Sequence, residues 1–150
     1  MTFPIIKFII SWACFIFFGD KKKFSLIAPT CYVAIILALI TDLLMFLYPL
    51  WNYESETKIQ LFEKQMLNSF GIYFVVTYLF LQTLPKKQNI FNVGLHILYW
   101  SILCISIEIL AFKLGYISYG LWWNLGWSYL VDWILFLIFY AHHKWRENDN

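Results

Sequence analysis

The chain has 150 residues, 61% of them hydrophobic and only 13% charged, with a formal net charge of +2. So little charge cannot cover the surface of a soluble domain of this length, and so small a net charge gives no electrostatic case for nucleic acid. An aromatic share of 22% suits an exterior bathed in lipid, so the bilayer is the first partner that the composition implies.

The expected fold class is all-α: a polytopic membrane helix bundle of about five transmembrane helices, forming one integral membrane domain over residues 1–150. A crossing needs about 20 apolar residues, because about 1.5 Å of rise per residue must span about 30 Å of hydrocarbon. The first apolar segment is Thr2–Gly19. It is short, and Lys7 interrupts it. No small-residue cleavage site follows it, so it is expected to stay in place as an uncleaved span. A peripheral N-terminal helix with four spans is the alternative. The second segment, Ser25–Leu50, is longer than one crossing needs, and Pro29 falls early in it, where a missing N–H costs least.

The third segment is Met66–Leu84. Before it, Trp51 to Gln65 is the longest polar stretch, too short for a domain. Within it, Glu54–Gln65 is expected either to lie as a short helix on the outer surface or to form the polar start of the third span. The fourth and fifth segments are Ile90–Phe112 and Leu121–Ala141. Between them, Gly115–Gly120 predicts a tight turn, and Trp122–Trp127 predicts the mouth of a pocket. Pro49 and Pro85 close the second and third spans.

Basic residues set the orientation. Lys21, Lys22, Lys23, Lys86, Lys87, Lys144 and Arg146 are seven of the chain's eleven, and with five spans all lie on one side. The N-terminus is therefore expected outside and the C-terminus in the cytoplasm, in a plasma membrane. Trp51, Tyr53, Tyr116, Tyr119, Trp122 and Trp123 fall at the outer interface and Trp145 at the inner one, as an aromatic belt requires.

Small and polar residues recur at helical spacing in each span. Thr30, Ala34, Ala38 and Asp42 share a face of the second. Asn68, Gly71, Tyr78 and Gln82 share one of the third. Gly94, Ser101, Cys104, Glu108 and Ala111 do so in the fourth, Asn124, Ser128 and Asp132 in the fifth, and Lys7, Ser11 and Cys14 more weakly in the first. Hydrocarbon offers no water, so such faces turn inward and bond across helices.

Three acids stand out. A carboxylate in mid-membrane costs about 2.5–3.5 kcal/mol on the insertion scale, so it should be paired, protonated or in reach of water. Asp42, Glu108 and Asn124 are expected at similar depths below the outer interface, Asp132 deeper, and Lys113 a turn further out, where it can snorkel back. Together with Ser128 these residues predict either a structural ion pair or an outward-facing polar cavity with Asp132 at its base. His96 lies in the inner half of the fourth span, where an ionisable ring is a functional candidate. Cys14, Cys31 and Cys104 fall in apolar runs without metal spacing, and no third ligand accompanies His142 and His143, so no metal site is expected. No phosphate loop, hydrolase elbow or zinc-protease motif is present, and no cofactor is implied.

The run Glu108…Lys113-Leu114-Gly115…Tyr119…Trp123-Asn124-Leu125-Gly126-Trp127-Ser128-Tyr129 resembles the C-terminal half of a group of small uncharacterised multi-pass membrane proteins of Bacillus- and Clostridium-type spore-forming bacteria. The resemblance covers about a third of the chain. It implies a bacterial plasma membrane and carries over no activity and no site. The expected function is a non-enzymatic accessory or assembly component, with a homo-oligomer or another membrane protein as partner. The alternatives are a small transporter, channel or proton-linked binding protein that uses the intramembrane acids, and an enzyme acting on a lipid or isoprenoid through a carboxyl pair.

Overall fold

The computed structural model describes residues 2–53 and 57–149, apart from the side chains of Thr2 and Phe46. These residues are mostly helical: α1 (Thr2–Phe18), α2 (Phe24–Leu47), α3 (Lys58–Leu67), α4 (Phe74–Gln82), α5 (Ile90–Lys113) and α6 (Leu125–Asn148). Two short strands, β1 (Trp51–Tyr53) and β2 (Ile117–Tyr119), complete the described elements. A π-helical turn, Asn68–Tyr73, joins α3 to α4 without a break. The bundle is therefore built of five rods. The polar stretch before the third apolar segment serves as the start of that rod, while Glu54 and Glu56 of the same stretch lie outside the described residues.

Among the described residues, three helical stretches are long and apolar enough to cross a membrane: Lys21–Met45, Ile90–Lys113 and Leu125–Asn148. α1 is apolar but only 17 residues long. The fifth expected segment shifts. Leu121–Asn124 stay outside the helix, because Asn124 takes an extended conformation and caps α6, accepting from the N–H groups of Gly126 at 2.9 Å and Trp127 at 3.3 Å. At its other end α6 continues past Ala141 to Asn148, where Lys144 and Glu147 form an ion pair.

α1 runs parallel to the α3–α4 rod. Lys7 meets Asn68, Phe15 packs on Tyr78, and Gln82 binds the end of α1 by donating to the Phe18 carbonyl and accepting from the Asp20 N–H, each at 2.8 Å. Tyr78 adds a 2.6 Å bond to the Asp20 carbonyl. Gly71 permits the close approach, since a Cβ there would stand 2.6 Å from the Phe8 ring. α2 packs against both α4 and α6, and α5 against α6. The small face of α2 is the reason it sits centrally: Thr30, Ala34, Ala38 and Asp42 are all buried. Large apolar side chains such as Ile9, Phe17, Leu43, Ile90 and Leu137 remain exposed around the perimeter. In water such a surface marks an interaction site or an aggregation liability, whereas acyl chains solvate it.

The turns gather at two ends. Lys21–Lys23, Lys86, Lys87 and the end of α6 share one end. At the other, β1 and β2 pair antiparallel, with Trp51 opposite Tyr119, Asn52 opposite Ser118 and Tyr53 opposite Ile117. This ladder closes the end of the bundle. Gly115 ends α5 at φ 73°, with the Tyr116 N–H returning to the Ala111 carbonyl at 2.9 Å and the Gly115 N–H to that of Phe112 at 3.0 Å. That pairing satisfies carbonyls which the helix end would otherwise leave open. Leu121 follows at φ 51°, a left-handed conformation that costs a side-chain-bearing residue about 1–2 kcal/mol. Leu121→Gly is therefore expected to stabilise the protein by up to about 1 kcal/mol, since glycine's extra unfolded freedom offsets part of the relief. Thermal unfolding in detergent measures it, and a lower midpoint would contradict the assignment.

Candidate functional site

Beneath the two-stranded ladder lies a cavity of about 210 Å³. Its polar wall comes from four rods. α1 supplies Lys7, the π-turn supplies Asn68, α5 supplies Glu108, and α6 supplies Ser128 and Asp132. Trp51, Tyr53 and Ile117 of the strands line it from above, and Trp123 lines it beside them. Further along α6 come Leu135, Phe136 and Phe139. The eleven steps from Ser128 to Phe139 at about 1.5 Å each make the lined stretch of α6 roughly 16 Å long. The cavity thus grades from a polar end under the ladder to an apolar floor. Asp132 stands partway down and not at the base, because two further turns of α6 face the same space.

Glu108 is the hub of the polar end. Its Oε1 accepts from the Tyr119 hydroxyl at 2.6 Å and from Ser128 Oγ at 2.6 Å, and Ser128 in turn accepts from Trp123 Nε1 at 2.9 Å. β2, α5 and α6 are thereby tied at one carboxylate. Burial and the adjacent Glu108 carboxylate push the Tyr119 phenol above its ordinary range, and burial and then the Asp42 charge do the same to Tyr53. Both phenols stay protonated, and Tyr119 serves as a donor.

Lys7 donates to Asn68 Oδ1 at 3.1 Å, and its ammonium lies 4.9 Å from the centre of the Phe3 ring. Asp132 differs from its neighbours: its Oδ2 is buried and has no hydrogen-bond partner. The π-turn is a local widening of the helix, a feature frequent at functional sites. Here it carries Asn68, Ile72 and Tyr73 into the cavity wall.

Of the residues singled out in the sequence, the structure brings Glu108, Ser128 and Asp132 together in this wall. Asp42 lines an adjoining pocket. Asn124 does not join them, because its side chain is engaged as the α6 cap and is exposed. Lys113 ends α5 exposed to the surroundings, and no ion pair joins it to Glu108, whose Oε1 is taken by two hydroxyls. His96 stands well away, with Nε2 donating to the Phe80 carbonyl at 3.0 Å and its ring stacked 5.0 Å from that of Phe80. That is a packing role. Sequence reasoning missed Lys7 as a wall residue, taking it as a weakness of the first span. Its stripe with Ser11 and Cys14 was the available signal. Tyr119 and Trp123 read as belt aromatics, although both reach polar partners inside.

No protein-family model matches the chain, and no curated protein or solved structure is significantly similar to it.

Proposed function

We propose that this chain is a small-molecule binding or transport protein of a bacterial plasma membrane. It crosses the bilayer five times, with the ladder end and the N-terminus outside and the C-terminus in the cytoplasm. The basic turns at the end opposite the ladder support that orientation. The length of the α3–α4 rod, Lys58 to Gln82, and the polar fastening of the shorter α1 alongside it support counting both as spans.

The observation that carries the reading is the unpartnered Asp132 carboxylate oxygen in a cavity that Lys7 and Glu108 also line. A packing network closes on itself, as Glu108 does through Tyr119 and Ser128. Asp132 leaves an acceptor open, and an open buried acceptor costs about 1–3 kcal/mol unless something fills it. The space is equivalent to about seven waters at roughly 30 Å³ each, too little for a two-chain lipid. The graded lining suits a compact molecule with a polar head and a short apolar body. Its head would meet Lys7 and Asp132, and its body would lie toward Phe136 and Phe139.

Cys104 lines the same cavity and provides the test. In a Cys14→Ser/Cys31→Ala background, a small water-soluble methanethiosulfonate added from outside is expected to modify Cys104 in the folded protein, at a rate that rises with pH because the thiolate is the reacting form. Asp132→Asn is expected to leave that reaction intact. A Cys104 that reacts only after unfolding would mean that the cavity is closed to water, and the reading fails. A reporter fused to the C-terminus is expected to be active only in its cytoplasmic form.

A further inference from the structure

A second pocket, of about 360 Å³, adjoins the cavity and shares Trp51 and Tyr53 with it. Asp42 provides its charge. The side chain comes from the last turns of α2 and is 7% exposed, and its Oδ2 is buried without a hydrogen-bond partner. Among the described residues, no lysine, arginine or histidine pairs with it within 4 Å. Gln65 adds an amide group to the wall, and Leu61 and Met45 an apolar side. This is an anionic recess with two aromatic walls, whose counter-charge the described residues do not supply.

We propose that this pocket binds the ammonium group of an amine, with Asp42 as the counter-ion and Trp51 and Tyr53 as its aromatic walls. An ammonium brings three donors. One meets Asp42 Oδ2, and the amide oxygen of the buried Gln65 is an acceptor for another. Aromatic faces attract cations within about 6 Å of the ring centre, and more strongly where water is excluded. A bare divalent metal fits poorly, because hard cations take six or more oxygen ligands and no group of three acidic, histidine or cysteine side chains comes together among the described residues. Anions are repelled by the same carboxylate. The ammonium can belong to a free amine or to the ethanolamine headgroup of a lipid at the ladder end, and the chemistry is shared.

The full-length protein in detergent, titrated calorimetrically with n-butylammonium, is expected to bind it saturably, and n-butanol, the neutral counterpart of similar size, not at all. Asp42→Asn is expected to weaken binding at least tenfold, and Trp51→Leu about fivefold. Should Asp42→Asn fail to fold, Trp51→Leu decides alone. In nanodiscs of mixed phosphatidylethanolamine and phosphatidylglycerol, native mass spectrometry separates the sources. Retention of the ethanolamine lipid by the wild type, lost in Asp42→Asn, assigns the pocket to a headgroup. Butylammonium binding without such retention assigns it to a free amine. Equal binding of butylammonium and butanol with no lipid retained, or undiminished binding in both variants, overturns the proposal. Asp42 does not line the Cys104 cavity, so Asp42→Asn is expected to leave Cys104 modification unchanged, and the two tests fail separately.

Discussion

Replacing Glu108 with alanine is expected to lower stability by roughly 2–3 kcal/mol, because the part-buried Tyr119 and Ser128 hydroxyls lose the acceptor they share. Glu108→Gln keeps an acceptor oxygen where Oε1 stands and should lose less than about 1.5 kcal/mol. Asp132→Asn is expected to be neutral or stabilising, since its buried Oδ2 has no partner to lose. The three variants therefore separate a carboxylate that holds the fold together from one that is open for binding. Unfolding in detergent, followed by helical circular dichroism, ranks them. Equal losses for Glu108→Ala and Asp132→Asn would remove the distinction. A double-mutant cycle of Glu108→Ala with Ser128→Ala should show a coupling of at least about 1 kcal/mol, as expected of groups sharing one hydrogen bond.

The second large effect is expected at Gly120. A Cβ placed there would stand 2.5 Å from the Pro49 carbonyl oxygen, a backbone atom that no rotamer change can move. The Gly120 N–H also donates to the Leu50 carbonyl at 2.7 Å, so the two chain segments are held at that separation. Gly120→Ala must part them. Overpacking of this kind costs about 1–3 kcal/mol, and the strain falls on the β1–β2 ladder. Stability should drop by that amount, and the Cys104 modification rate should rise about tenfold as the cover loosens. An unchanged rate in a destabilised variant would show that the ladder does not control entry.

Much of the bundle was legible because hydrocarbon thickness imposes a length on apolar segments. The limits of α1 and α5 lie within a residue of the expected ones, and those of α2 within three. The inward face of α2 was legible for the same reason that small residues pack backbones closely: Thr30, Ala34, Ala38 and Asp42 recur every fourth position. Other features carry no such signature. β1 and β2 have three residues each and pair across more than sixty positions, so no local alternation announces them. The π-turn lies where α1 packs close at Gly71, a tertiary contact that no local pattern announces. Asn124 fits the polar spacing of Ser128 and Asp132, yet an asparagine just before a helix satisfies open N–H groups more cheaply than it enters a bundle. Lys7 was visible as an intramembrane charge, but its partner Asn68 lies 61 residues away. The two strongest donors to Glu108 were classed by residue type as interfacial or small, and only the closing of the ladder brings Tyr119 back toward the interior.

The hub at Glu108 also has a history written into the order of synthesis. The carboxylate is polymerised before either of its donors, and Ser128 follows it by 20 residues. Until β2 and α6 follow, neither of the hydroxyls that satisfy this acid is in place. The polar end of the cavity is therefore complete only once the last helix has packed against α5.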